Sequence, residues 1–250
     1  MMNNITPVVK QLLILNIIFF IGSQFVPVAE SYFALYYFQN PMFKFWQPLT
    51  HMFMHANLMH IFFNMFALYS FGSALEHFWG EKKFLFFYIS CGLGAALLHS
   101  MVNYFQFKYE FDALVQSGFK ETDIFNLLND KMFDKRWVDI LGQSGVDSLA
   151  SSYMTPAVGA SGAIYGLLVA FAFMVPNAEL GFMFIPIPIK AKYFVPGLIA
   201  VDLVLGFRGS SIFGAGSTGI AHFAHIGGAI TGFIMMWFWK KNQFNHKRWN

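Results

Sequence analysis

Apolar positions in this chain fall into long blocks separated by polar breaks, and not into the strict alternation of a half-buried strand. Six blocks approach the roughly 20 mostly apolar residues that a membrane-crossing helix requires. They lie at about 9–25, 58–78, 84–104, 161–175, 194–207 and 220–239, the fourth and fifth being short. The stretch LLILNIIFFIGSQFVPV (12–28) is long for the apolar core of a secretion signal. Pro27 also sits badly for a cleavage site, so it reads as a retained first span. The predicted fold is all-α: a polytopic bundle of six transmembrane helices in a single domain, 1–250.

Two connections are too long to be simple turns. Residues 30–57 are aromatic-rich, and Pro41 and Pro48 interrupt any continuous helix there. This predicts an extended loop. Residues 105–157 form the one sizeable polar stretch, in which FDALVQSGF and TDIFNLLNDKMF carry helical apolar spacing. Thr122 or Asp123 is the expected N-cap there. A partly helical insertion on the outer membrane surface is predicted between spans three and four. Lysine and arginine bias gives the orientation. Lys82 and Lys83, Lys190 and Lys192, and the basic tail 240–250 share one side with the N-terminus, which is therefore expected to be cytoplasmic.

Composition agrees with lipid as the solvent. The chain is 56% hydrophobic and only 12% charged, about half the charged fraction of a soluble domain. A formal net charge of +3 argues against nucleic acid as a partner. The single cysteine, Cys91, excludes an intrachain disulfide framework and a multi-cysteine metal site.

Polar groups inside apolar spans are costly and usually functional. Span two opens with HMFMHANLMHIFFN, in which His60 and Asn64 are four apart and share a helical face. Span four opens at Ser161 within GASGAIYG, and span six carries AHFAHIGGAITG with His222 and His225. All fall toward the outer ends of their spans. Gly162 with Gly166, and Gly228 with Gly232, form small-xxx-small pairs that allow two helices to approach closely. Packing those faces together brings His225 beside Ser161, the minimum for an activated nucleophile. The amides at the start of span four, with His60 and Asn64, are candidate donors to an oxyanion. Histidines recur at helical spacing, yet no Glu or Cys accompanies them as in HExxH, so no metal is expected. His51 and His55 read as structural, bonding loop backbone. His77, His99 and His246 read as interfacial.

GASG followed by Tyr165, AHIGGAITG, and the HxxxHxxxxHxxxN string resemble the rhomboid intramembrane serine proteases, over about 50–231. The resemblance implies that Ser161 is the nucleophile and His225 the general base. It implies that His60 and Asn64 serve the oxyanion site, and that Tyr165 is the ring on which the catalytic imidazole stacks. Gly159, Gly162, Gly228 and Gly232 are expected to support this geometry. Glu76 matches a glutamate that ties down the first outer loop, its plain alternative being an interfacial charge near Lys82 or Lys83. The family works with a Ser–His dyad, so Asp202 in span five is expected to be satisfied by polar neighbours rather than to orient His225. Trp46-Gln47 stands where relatives often carry Trp-Arg, and the role of His222 is left open.

The implied activity is hydrolysis of peptide bonds in or near transmembrane segments of membrane-protein substrates, without cofactor, at a site opening to the outside of the cell membrane. The alternative within the family is an inactive membrane-protein-binding factor. Such relatives typically lack the serine or histidine, and both are present here. A transporter or channel usually shows an internal repeat or a polar path to the other face, and neither is visible.

Overall fold

The computed structural model describes residues 5–182, 185–208 and 220–243. Its elements are α1 (Pro7–Phe25), α2 (Ala29–Phe33), α3 (Gln47–Thr50), α4 (Leu58–Ala67), α5 (Ser73–Trp79), α6 (Glu81–Gln116), α7 (Glu121–Asn129), α8 (Arg136–Met154), α9 (Ser161–Met174), β1 (Glu179–Phe182), β2 (Ile185–Lys190), α10 (Ala191–Arg208) and α11 (Ile220–Gln243). A single 3₁₀ turn, His51–Phe53, follows α3, and a π turn, Leu68–Gly72, joins α4 to α5 into one rod. Among the described residues, three helical stretches are long and apolar enough to cross a membrane: Pro7–Phe25, Leu58–Trp79 and Glu81–Gln116. Ser161–Met174 is a shorter apolar helix. The protein is a mostly helical, multi-pass membrane protein.

The centre of the bundle is built from small residues. α6, α9 and α11 pack pairwise against one another. A Cβ added at Gly232 would stand 2.8 Å from the Gly166 Cα, and one at Gly228 would overlap the Gly162 carbonyl. Gly162 in turn faces Ala95 of α6, Gly166 faces Cys91, and Gly227 lies against the Gly94 carbonyl. Lipid tails are as apolar as leucine, so burial alone does not pull such helices together. Close backbone approach supplies the dispersion contacts instead. The opposite face of α11 exposes Ile230, Phe233, Ile234, Trp237 and Phe238, as expected of a lipid-facing surface.

The polar stretch departs from the prediction in two ways. Residues 105–116 are not part of a separate insertion but the last three turns of α6, which runs on without a break. The expected capping residues also sit inside the first turn of α7. Lys120 occupies the N-cap position, with no side-chain cap, because the turn through Gly118 (φ 95°) brings the chain in two to three residues earlier. The end of α6, α7 and α8 enclose an aromatic core of their own, with Phe107, Leu114, Ile124, Leu128, Trp137, Leu149 and Tyr153 buried. Tyr37 from the first loop completes that core, and Leu35 pairs with Ala157 in an isolated antiparallel bridge. Gly142 breaks α8 with φ 68° and ψ 168°, a conformation that costs any other residue strain.

A second correction concerns the all-α fold class. The connection after α9 is an antiparallel hairpin, Glu179 pairing with Lys190 and Leu180 with Ile189. The segment IPIPIK cannot be helical, because proline at every second position removes amide donors and holds the backbone extended. The expected basic tail falls largely beyond residue 243, with His246, Lys247 and Arg248, outside the described residues.

Glu76 is displaced from its expected role. It is buried in the middle of α5, and its carboxylate caps the start of α1 instead of the first outer loop. The Thr6 hydroxyl donates to Oε2 at 2.5 Å, the Val8 amide to Oε1 at 2.9 Å and the Val9 amide to Oε2 at 2.8 Å. The first amides of a helix have no intrahelical acceptor and carry the positive end of its dipole, so an acidic side chain fits there. The first loop is held by Gln47, which is fully buried. Its Nε2 donates to the Met42 carbonyl at 2.9 Å and the Ser31 carbonyl at 3.1 Å, while Oε1 accepts from the Tyr36 amide.

Candidate active site

Ser161 is the first residue of α9. The chain reaches it through Gly159, whose φ of 125° is open to glycine and strained for residues with a Cβ. The Gly159 amide donates to the His51 carbonyl at 2.9 Å, so the loop bearing the serine is fastened to the 3₁₀ turn before α4. A Cβ at Gly159 would meet His60 Nε2 at 2.8 Å and Ser161 Oγ at 3.6 Å. The His60 ring and the Ser161 hydroxyl therefore flank the same bare stretch of backbone.

His225 comes from α11. Its Nε2 lies 2.8 Å from Ser161 Oγ, a full hydrogen-bond contact. Its ring lies flat on Tyr165, with centroids 4.3 Å apart and planes within 9°. Tyr165 is one turn along α9 from Ser161, so one helix supplies both the hydroxyl and the platform. The Gly162–Gly228 and Gly166–Gly232 contacts set the distance between the helices. Among the described residues, the sequence-predicted pair Ser161 and His225 thus meets across the glycine seam, with Tyr165 beneath it.

Asn64 is buried one turn below His60, and its Nδ2 donates to the His60 carbonyl at 2.8 Å. The side chain braces the helix turn that carries His60. His51 matches its structural reading: it is buried, with Nδ1 3.1 Å from the Gln47 carbonyl. The His55 ring packs edge-on against His60 at 5.0 Å between centroids and reaches the loop backbone at Phe53. Burial, then the neighbouring His99, lowers the His51 pKa to about 4; burial, then His60, lowers that of His55 to about 3. His99 is buried in α6 rather than interfacial.

Asp202 and His222 were not assigned to the site by sequence, and the structure brings both to it. Asp202 projects from α10 toward α11, where its Oδ1 contacts His222 Nδ1 and lies 3.2 Å from His225 Nδ1. The signal available in the sequence was a lone acid in an apolar span together with histidines three apart on the next. One ligand atom from each of Asp202, His222 and His225 lies within 4.8 Å of the other two, a donor set of the kind that also suits a cation.

Comparison with known proteins agrees with this architecture. The model of the rhomboid domain matches residues 42–108 and 137–242, more than half of the chain, and passes over the end of α6 and α7. The chain is 25% identical over 239 residues to the mitochondrial presenilin-associated rhomboid-like protein A of Danio rerio, covering 90% of this chain and 47% of that protein. It is 28% identical over 193 residues to the rhomboid protease AarA of Providencia stuartii, covering 76% and 54%. The human mitochondrial presenilin-associated rhomboid-like protein is 25% identical over 210 residues, covering 83% and 42%. The chain thus spans about half the length of the curated relatives it matches. With a rhomboid domain matched along most of its helices, the chain belongs to the rhomboid family.

Proposed function

We propose that this protein is a serine endopeptidase of six membrane spans that cuts transmembrane protein substrates in or near their membrane-spanning segments. The observation that carries this reading is the 2.8 Å contact between His225 Nε2 and Ser161 Oγ at the start of α9. An imidazole nitrogen in that position takes the hydroxyl proton as Oγ attacks the scissile carbonyl. A tetrahedral oxyanion forms, and the proton passes from His225 to the leaving amine as the C–N bond breaks. The resulting ester at Ser161 is hydrolysed by a water that His225 deprotonates in turn. No cofactor takes part in these steps.

The oxyanion falls next to the first amides of α9, which lack intrahelical acceptors, and next to His60. In this reading Asn64 contributes by fixing the turn under His60, and Gly159 keeps the approach to Ser161 open. Lysines 82, 83, 190 and 192 face the cytoplasm, and the catalytic end of the bundle faces the opposite aqueous side. Water reaches Ser161 from there, since irregular backbone at membrane depth is tolerated where it lines a cavity.

The test is labelling of the purified full chain by a fluorophosphonate probe, paired with cleavage of a model transmembrane substrate. Wild-type protein is expected to label and cleave, and Ser161→Ala to do neither. His225→Ala is expected to lower the cleavage rate by about 10³-fold or more. Labelling no greater than that of Ser161→Ala, together with an uncut substrate, would leave a non-catalytic membrane-protein-binding member of the family.

A further inference from the structure

We propose that Asp202 is a positioning residue for His225, held in place by His222, so that the site operates as a Ser–His–Asp arrangement assembled from three helices. The inference rests on the protease reading above and names a part of its machinery. Three observations carry it. The first is direction: Asp202 Oδ1 lies 3.2 Å from Nδ1 of His225, while the other ring nitrogen of the same imidazole lies 2.8 Å from Ser161 Oγ. A carboxylate oxygen only accepts, so it selects the tautomer with hydrogen on Nδ1. Nε2 is then left unprotonated toward the serine. When Nε2 takes the serine proton, the carboxylate faces the imidazolium that results, and the Nδ1 proton stays where it is.

The second observation is the grip on the carboxylate. His222 and His225 are three apart on α11 and share a face. Both present Nδ1 to the same oxygen of Asp202. Tyr165 of α9 also reaches this carboxylate.

The third is burial. Asp202 is 4% exposed and His222 8%. Removing a charge from water costs several kcal/mol unless it is well paired, so a lone acid in the apolar sequence LIAVDLVLG calls for a partner. Among the described residues, the other titratable groups facing the cluster are Tyr165 on α9 and His60 on α4. Tyr165 stacks on one face of the His225 ring and limits its tilt. The stack leaves rotation within the ring plane free, and the Asp202 contact fixes that rotation. The two restraints complement each other.

The experiment compares wild-type, Asp202→Asn and Ser161→Ala full-length protein in detergent. It measures the rate of fluorophosphonate labelling, kcat and KM on a model transmembrane substrate, and the thermal midpoint. Asp202→Asn is expected to lower kcat and the labelling rate together by about 10- to 100-fold, with KM within a factor of two and the thermal midpoint retained. That is smaller than the roughly 10⁴-fold loss known for a triad aspartate, because the Tyr165 stack still orients the ring. Wild-type kcat in a folded Asp202→Asn protein would overturn the proposal, as would a change confined to KM or to the thermal midpoint. If Asp202→Asn does not accumulate, His222→Gln takes its place. A 3- to 10-fold fall in kcat at constant KM supports the clamp, and an unchanged kcat overturns it. Failure of the protease reading looks different, since wild-type protein would then label no faster than Ser161→Ala.

Discussion

The glycine seam between α9 and α11 and the aromatic core under α8 solve one problem by opposite means. In the seam, Gly162, Gly166, Gly228 and Gly232 remove side chains so that backbone meets backbone. In the aromatic core, Trp137, Phe107 and Tyr153 add as much side chain as the space admits. Outside the spans, burying a large ring is driven by its removal from water. Among lipid-facing helices that drive is absent, and close fit substitutes for it. The seam is accordingly intolerant of added volume, and the aromatic core of lost volume.

The most damaging way to break this contrast is to add volume to the seam. Gly228→Val places new atoms on the Gly162 carbonyl, where only backbone can yield. A loss of about 4 kcal/mol or more is expected, above the 1–3 kcal/mol usual for overpacking, because no side chain can move aside. The readout is loss of both Ser161 labelling and a cooperative melt. Removing volume from the aromatic core comes next. Trp137→Ala is expected to cost about 3–5 kcal/mol. Faster amide exchange in α7 and α8 would report it, while labelling of Ser161 stays within threefold of wild type. Equal damage to labelling from both changes would contradict the separation of the two regions.

Acid sharpens the comparison at the first loop, which touches both regions. The folded-state pKa of His51 is depressed to about 4, so the unfolded chain binds more protons between about pH 6.5 and 4. Stability associated with neutral His51 is present above that window and lost as pH falls through it. The shift corresponds to about 3 kcal/mol at its lower end. Limited proteolysis of residues 36–57 across the window would register it, and protection unchanged down to pH 4 would refute it. The smallest effect lies away from both regions, where α5 meets α1. Glu76→Gln keeps the shape and removes the charge, for an expected loss of about 2 kcal/mol, read from the thermal midpoint. Substrate KM is expected to be unchanged.

Much of this was legible from local pattern. Ser161, Gly162, Tyr165 and Gly166 occupy one helix, and His225, Gly228 and Gly232 another, so their spacing alone states which faces must meet. What escaped depended on rotation and reach. Asp202 lies on a span with no other polar mark, so sequence does not say which neighbour it faces. Glu76 was assigned to the wrong partner because its target, the bare amides of α1, has no side-chain signature. The hairpin lies in the connection between the fourth and fifth apolar blocks, where the alternation of isoleucine and proline in IPIPIK was its one signal.

The Glu76 cap carries a consequence for the order of events during synthesis. The amides of Val8 and Val9 bond to a carboxylate 68 and 67 residues further along the chain. Until that residue has emerged, the start of α1 has nothing in the protein to hold it. The second rod must therefore be made and brought alongside before the first is locked. A ribosome stalled before residue 76 would carry a first helix whose leading end is still open to solvent exchange, and one stalled well past it would not.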